Sequence, residues 1–314
     1  MSMEQRASTI PDMAYVLEPT YGKQSVPVFK ISKNGPKHSI IDMMIEIMLE
    51  GNVSASWTAG ENHQIVPTET MKNTCYAIAL LTDFTSIEEY GLALGADMLK
   101  RHTHLSGVKV WVEGKKWERV VVDGAPHNHV FKTSTAPEIR TCVVESNRST
   151  QRIRSGVKDI KLMKTTQSGF DGFIRDQWTN LEPTGPTAKF KDRIMCTDMV
   201  AEWSYSNANK RDYNEMNEGI MNTLLANFAG PADTGRFSKS LQETVNIMAT
   251  TVLDKYPDVD EIKLVTPNVH FYRFEVEKFG RGYTNPNIVF QQTNSKVNAS
   301  GKIVTVLKRS KSKL

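Results

Sequence analysis

From residue 39 to residue 50 apolar side chains recur at every second position. Ile41, Met43, Ile45, Ile47 and Leu49 fall on one side, and Asp42, Glu46 and Glu50 on the other. A period of two is the pattern of a half-buried strand. Val26 to Ser32 also reads as a strand, and Asn34-Gly35-Pro36 between the two is turn chemistry. The chain therefore opens with an antiparallel hairpin, after a polar leader over residues 1–19 that is expected to be flexible. Then the period changes. A helix is predicted from about Thr70 to Leu81. A second opens with the capping box Ser86-Ile87-Glu88-Glu89 and runs to about Arg101, with Ile87, Tyr90, Leu94 and Met98 on one face. Strands resume at Val108–Glu113 and Trp117–Val122, around Gly114-Lys115-Lys116, and again at Val130–Lys132 and Ile139–Glu145.

Asn147 to Gly156 is polar, and a unit boundary is expected there. Beyond it the order repeats. One strand is expected from Val157–Lys164 with Phe170–Arg175. A long one runs Arg193–Tyr205, with Met195, Thr197, Met199, Ala201, Trp203 and Tyr205 on one face. A helix follows from about Asn214 to Phe228, and Ser240-Leu241-Gln242-Glu243 reads as a capping box opening another to about Tyr256. Glu261–Val276 and Lys302–Lys308 are the closing strands. The expected architecture is α+β, a tandem duplication over residues 20–152 and 153–309. Each unit is ββααββ, an antiparallel sheet with two helices on one face. Several strands carry apolar residues on both sides, so association of subunits is expected to cover the second sheet face.

Composition narrows the classes of function. With 314 residues, 39% of them hydrophobic, the chain is long enough for two ordinary cores. It has no apolar run of membrane-spanning length and no secretory h-region at its start. The net charge of +4 is mild, and the basic end Lys308–Lys313 lacks the interleaved aromatics of a nucleic-acid surface. Neither a membrane nor a nucleic acid is expected as partner. Cys75, Cys142 and Cys196 are few and widely spaced, which favours a reducing compartment over a disulfide framework or thiolate metal site. The last residues, Ser312-Lys313-Leu314 of the tail 310–314, read at a free C-terminus as a peroxisomal address, so an import receptor is expected as partner.

No Walker loop, GxGxxG, GxSxG or HExxH is present. His102-Thr103-His104 and His127-Asn128-His129 are H-x-H pairs without an evident third metal ligand. The informative stretches are others. In Val66-Pro67-Thr68-Glu69, Thr68 reads as a helix N-cap at a terminus suited to anions. Gly169 and Gly172 near Phe170 leave room for its ring against a flat partner. Arg193 at a strand start can pair bidentately with an anion, and Gln242 in a first helical turn can meet a ring edge. Pro267 interrupts a strand, after which Asn268 and His270 share a face. A histidine there can move a proton near neutral pH. Tyr21-Gly22-Lys23 comes just before the first strand, where Lys23 reads either as a site residue or as one of many surface lysines.

Taken in order, these pieces resemble the urate oxidase (uricase) family. They are Tyr21-Gly22-Lys23, Ile65–Thr70 with Lys72-Asn73-Thr74, Pro126–His129, Ser168-Gly169-Phe170 with Gly172–Asp176, Asp192-Arg193-Ile194, Leu241-Gln242, Pro267–His270 and Ser312-Lys313-Leu314. The resemblance covers about residues 21 to 314. It implies the tunnelling fold (T-fold), two ββααββ units per chain assembling into a barrel-like homotetramer. It implies cofactor-independent oxidation of urate by O2 to 5-hydroxyisourate and hydrogen peroxide in the peroxisome. By resemblance Phe170 stacks on the purine, Arg193 and Gln242 clamp its pyrimidine side, and backbone groups at Leu241 and Glu69 hold other edges. Lys23, Thr68 and His270 form a proton relay, Asn268 holds O2 or water, and the two groups meet across a subunit interface. Thr68 thus becomes both cap and relay hydroxyl. Glu69 departs from the family's usual Asp. The competing readings are another purine- or pterin-binding T-fold enzyme, which needs a zinc or catalytic Cys, and a non-catalytic purine-binding homologue.

Overall fold

The computed structural model describes residues 17–135, 137–169, 173–174, 176–179, 193–207, 211–274 and 289–310. The chain runs β1 Thr20–Ser32, β2 Ser39–Gly51, a short α1 Ala55–Thr58, α2 Thr68–Leu81, α3 Ile87–Arg101, β3 Leu105–Lys115, β4 Trp117–Val122, β5 Ala125–Thr133 and β6 Ile139–Asn147. It continues β7 Gln151–Lys164, β8 Met195–Tyr205, α4 Tyr213–Ala229, α5 Leu241–Lys255, β9 Val259–Pro267, β10 Phe271–Arg273, β11 Phe290–Gln292 and β12 Lys302–Lys308. Eight strands form one antiparallel sheet in the order β1-β2-β3-β6-β7-β8-β9-β12. The first four and last four repeat one plan, down to a two-stranded ribbon, β4-β5 or β10-β11, set between the third and fourth sheet strands of each half. The halves join without a break, because β6 and β7 pair as a hairpin around Asn147–Thr150.

The helices cover one sheet face, α2 and α3 over the first half and α4 and α5 over the second. The alternation from 39 to 50 holds: Met43, Ile45, Ile47 and Leu49 are fully buried against Met71, Tyr90, Leu94 and Met98 of the helices. All six inward residues of β8 are buried as expected, although the strand starts at Met195 rather than Arg193. Other boundaries moved. Tyr21-Gly22-Lys23 lies inside β1, paired with Leu49, Met48 and Ile47. Gly22 is obligatory there, since an added Cβ would stand 1.9 Å from the Ile47 carbonyl oxygen. β4 leaves the sheet to pair with β5, so β3 finds its partner in β6. The strand after Val157 stops at Lys164, and Phe173 and Ile174 are not strand; Phe170 to Gly172, Arg175 and Val276 fall outside the described residues.

The second sheet face differs from the apolar surface expected. Its middle is charged, with Lys109–Glu145 at 2.8 Å and Lys263–Glu202 at 2.9 Å. Uncovered apolar side chains lie at both edges, Phe29 and Ile31 on β1 and Val304 and Val306 on β12, and inside the sheet at Met163 of β7, each about half exposed. At the junction of the halves sits Glu88 of α3, fully buried. Arg140 of β6 reaches both its carboxylate oxygens at 3.0 and 2.8 Å, and the Ser155 hydroxyl of β7 donates to it at 2.7 Å. The same guanidinium also donates to Asn214 of α4. A buried charge persists only when its lone pairs are filled in this way.

Candidate active site

The predicted residues fall into two corners. The first lies where β9 ends. Pro267 carries no N–H, so the ladder stops, and its carbonyl accepts from the Thr197 hydroxyl at 2.8 Å. The next residues are pinned by backbone: Asn268 N–H donates to Gly301 O at 2.7 Å, Val269 N–H to Cys196 O at 2.8 Å, and His270 N–H to the Thr293 hydroxyl at 2.8 Å. Asn268 and His270 thus face a pocket of about 310 Å³, which Leu241 and Gln242 enter from the first turn of α5. Ser240 caps α5 by accepting from Glu243 N–H at 3.1 Å. The capping box is only half closed: the Glu243 carboxylate takes the N–H of Lys239 at 3.1 Å instead of that of Ser240. Ser168, Gly169 and Phe173 line the same pocket. Arg193 sits between Ser168 and Ile194, both lining residues, and its backbone is bonded to Ser168 in both directions: Arg193 N–H donates to Ser168 O at 3.0 Å, and the Ser168 hydroxyl donates to Arg193 O. Phe170, next to Gly169, lies outside the described residues.

The second corner lies at the start of β1 and α2. The Tyr21 hydroxyl accepts from Val66 N–H at 2.8 Å, which ties the strand to the residue before the helix. Burial raises the Tyr21 phenol above its usual range. Thr68 is not the N-cap. Pro67 takes that position without any side-chain cap bond, and Thr68 is the first helical residue. The first backbone bond into the helix is Met71 N–H to Pro67 O at 3.1 Å. The N–H groups of Thr68, Glu69 and Thr70 and the Thr68 hydroxyl therefore have no partner among the described residues. Glu69 forms an exposed pair with Lys72 at 2.7 Å. Its carboxyl is held low chiefly by that hydrogen bond, and the charge of Lys23 contributes as well, so Lys23, Thr68 and Glu69 share this corner.

The corners do not meet within one chain. β1 is a sheet edge and β9 lies six strands along, about 29 Å at the usual strand spacing. Sequence reasoning missed Lys164, which ends β7 beneath the first corner. The signal was present, since Lys164 is the next inward position after Ile160 and Leu162.

Other candidates fare less well. His102 and His104 face each other with centroids 6.1 Å apart, and His127 accepts from His129 N–H at 3.2 Å. Among the described residues no group of three or more His, Cys, Asp or Glu side chains converges to hold a metal ion. All three cysteines are buried. Burial pushes the Cys75 thiol up to about 11 and raises Cys142 and Cys196 too, the wrong direction for a nucleophile. Among the described residues no helix is long and apolar enough to cross a membrane.

Two tandem halves on one antiparallel sheet, a pocket at the end of β9 and an open helix start beside β1 define the group of tandem T-fold proteins. Comparison narrows the group. The Uricase family profile matches residues 19–145 and 153–300. Zebrafish (Danio rerio) uricase is 36% identical over 262 residues, 83% of this chain and 85% of the relative. Dictyostelium discoideum uricase is 35% identical over 307 residues, 96% and 100% of the two chains. The crystal structure of uricase from Arthrobacter globiformis superposes with a TM-score of 0.84 at 31% identity, covering 96% of this chain and 97% of that one. The chain belongs to the uricase family.

Proposed function

We infer that this chain oxidises urate with O2 and water to 5-hydroxyisourate and hydrogen peroxide. The observation that carries the reading is the convergence of Leu241, Gln242, Asn268 and His270 on one pocket of about 310 Å³, at the small end of the range for ligand sites. The Gln242 amide, the Arg193 guanidinium and the Leu241 N–H hold the urate anion by its carbonyl and N–H edges, and Phe170 stacks on the ring. Asn268 and His270 lie beside the ring and hold O2 or water. Two electrons pass from the ring to O2, a water oxygen is added at C5, and the protons go to the reduced oxygen. Lys23, Thr68 and His270 move those protons, and an Arg with open helix N–H groups steadies the negative charge.

Completion of the site by a second copy belongs to this reading, with urate lying between Gln242 of one subunit and Thr68 and Glu69 of another in a homotetramer. Two observations support it. The corners are six strands apart in one chain, and both edge strands of the sheet, β1 and β12, carry uncovered apolar residues on its second face. The reading also takes residues 20–152 and 153–309 as the two T-fold units and Ser312-Lys313-Leu314 as the address that an import receptor reads for the peroxisome.

The test is direct. Urate in aerated buffer should lose its ultraviolet band while an equal amount of hydrogen peroxide forms. A correctly assembled protein that yields no peroxide overturns the proposal.

A further inference from the structure

Lys164 is buried at the end of a strand without a carboxylate partner among the described residues. A lone ammonium in such a place is costly unless hydrogen bonds replace the water it has lost. Its Nζ donates to Arg236 O at 2.7 Å and to the Ser238 hydroxyl at 2.9 Å, and stands 5.3 Å from the ring centre of Phe228 in the last turn of α4. Burial, and then the charge of Arg236, lower its pKa, so the folded protein holds the cation against a real desolvation cost.

What Lys164 holds is the frame of the pocket. Ser238 N–H donates to Gln167 O at 2.9 Å, and Gly169 N–H donates to Ser238 O at 2.9 Å. Ser168, between them, is bonded to the Arg193 backbone. Two residues after Ser238 comes Ser240, the cap of the helix that presents Leu241 and Gln242. Three segments that are distant in sequence are therefore laced together through Ser238, and Lys164 is the side chain on the far side of that lacing.

We propose that Lys164 is a positioning residue for the urate clamp: by tying Arg236 and Ser238 to the end of β7, it sets the start of α5, and with it Leu241 and Gln242, against Ser168 and Arg193. It touches no substrate. The proposal rests on the urate reading for the ligand but not for its geometry.

Lys164→Met keeps the length and removes the donors. In the assembled enzyme it should raise KM for urate about tenfold and weaken binding of xanthine, measured calorimetrically as a non-turnover probe, by a similar factor, while kcat stays within about threefold. Ser238→Ala should move both constants in the same direction by less, and the double variant should be no worse than Lys164→Met alone, because the two changes remove one connection. A folded Lys164→Met enzyme with unchanged KM and xanthine affinity overturns the proposal, as does additivity of the two changes. If Lys164→Met does not fold, Ser238→Ala decides alone, and unchanged constants overturn the proposal. Xanthine binding needs no turnover, so a wild-type protein that binds xanthine but makes no peroxide would defeat the oxidase reading and leave this one standing.

Discussion

The two corners of the site are built on opposite plans. At the second-half corner every backbone turn is tied down. Pro267 ends a strand, three successive residues are hydrogen-bonded to neighbouring elements, and Ser240 caps the helix. At the first-half corner the helix begins on Pro67 with no side-chain cap, and its first N–H groups and the Thr68 hydroxyl have no partner among the described residues. A pocket that must recognise the edges of a flat ring needs fixed donors and acceptors. A group that passes protons needs a hydroxyl and an amine not already committed to the protein. The rigid corner suits recognition of the ring, with His270 at its edge, and the open corner leaves the Lys23 amine and the Thr68 hydroxyl available for proton transfer.

That contrast can be broken by experiment. The largest effect is expected from Lys23→Met, which should lower kcat by a hundredfold or more, in the range of a lost proton-transfer group, with KM moved by less than about threefold. A comparable rise in KM would mean that Lys23 itself also holds urate. Next comes a mixing experiment. Lys23→Met and Gln242→Ala chains, unfolded and reassembled together and assayed at urate far below the wild-type KM, should recover up to about a quarter of wild-type activity if every site takes one corner from each of two chains in a closed oligomer. No recovery in a mixed oligomer would return both corners to one chain. Gln242→Ala alone should raise KM about tenfold, roughly one lost hydrogen bond to a buried polar edge, and leave kcat nearly intact. The smallest change is expected from Glu69→Asp. The Glu69 carboxylate faces Lys72 and solvent, and the backbone N–H is the group offered to substrate, so urate affinity should shift by less than about twofold in a steady-state assay.

Much of this was legible in the sequence where one physical rule dominates. The two-residue period of 39–50 and of 195–205 predicted strands and their buried faces, because burial on one side of a pleat leaves no other pattern. Elements with competing rules were misread. Tyr21-Gly22-Lys23 looked like a lead-in to a strand because Gly disfavours strands, yet Gly22 is in β1 because the Ile47 carbonyl leaves no room for a side chain. Thr68 looked like a cap because Thr is a good one, but the position before it, held by Pro67, already has the extended backbone a cap requires. The strand pairing of β4 with β5 was not legible, since alternation names a strand without naming its neighbour. Of the candidate site, Leu241, Gln242, Asn268 and His270 line one pocket, while Lys164 escaped because a lysine is read by default as surface.

The charge at the centre of the sheet has a consequence for heredity. Glu88 comes from the first half, but its hydroxyl partner Ser155 comes from the second, and the Arg140 that neutralises it is steadied by Asn214 there too. A duplicated gene begins as two copies that could each be lost or separated. Without the second half, the Glu88–Arg140 pair would lose the Ser155 hydroxyl and the Asn214 side chain, so the interior of the first half is completed by the second.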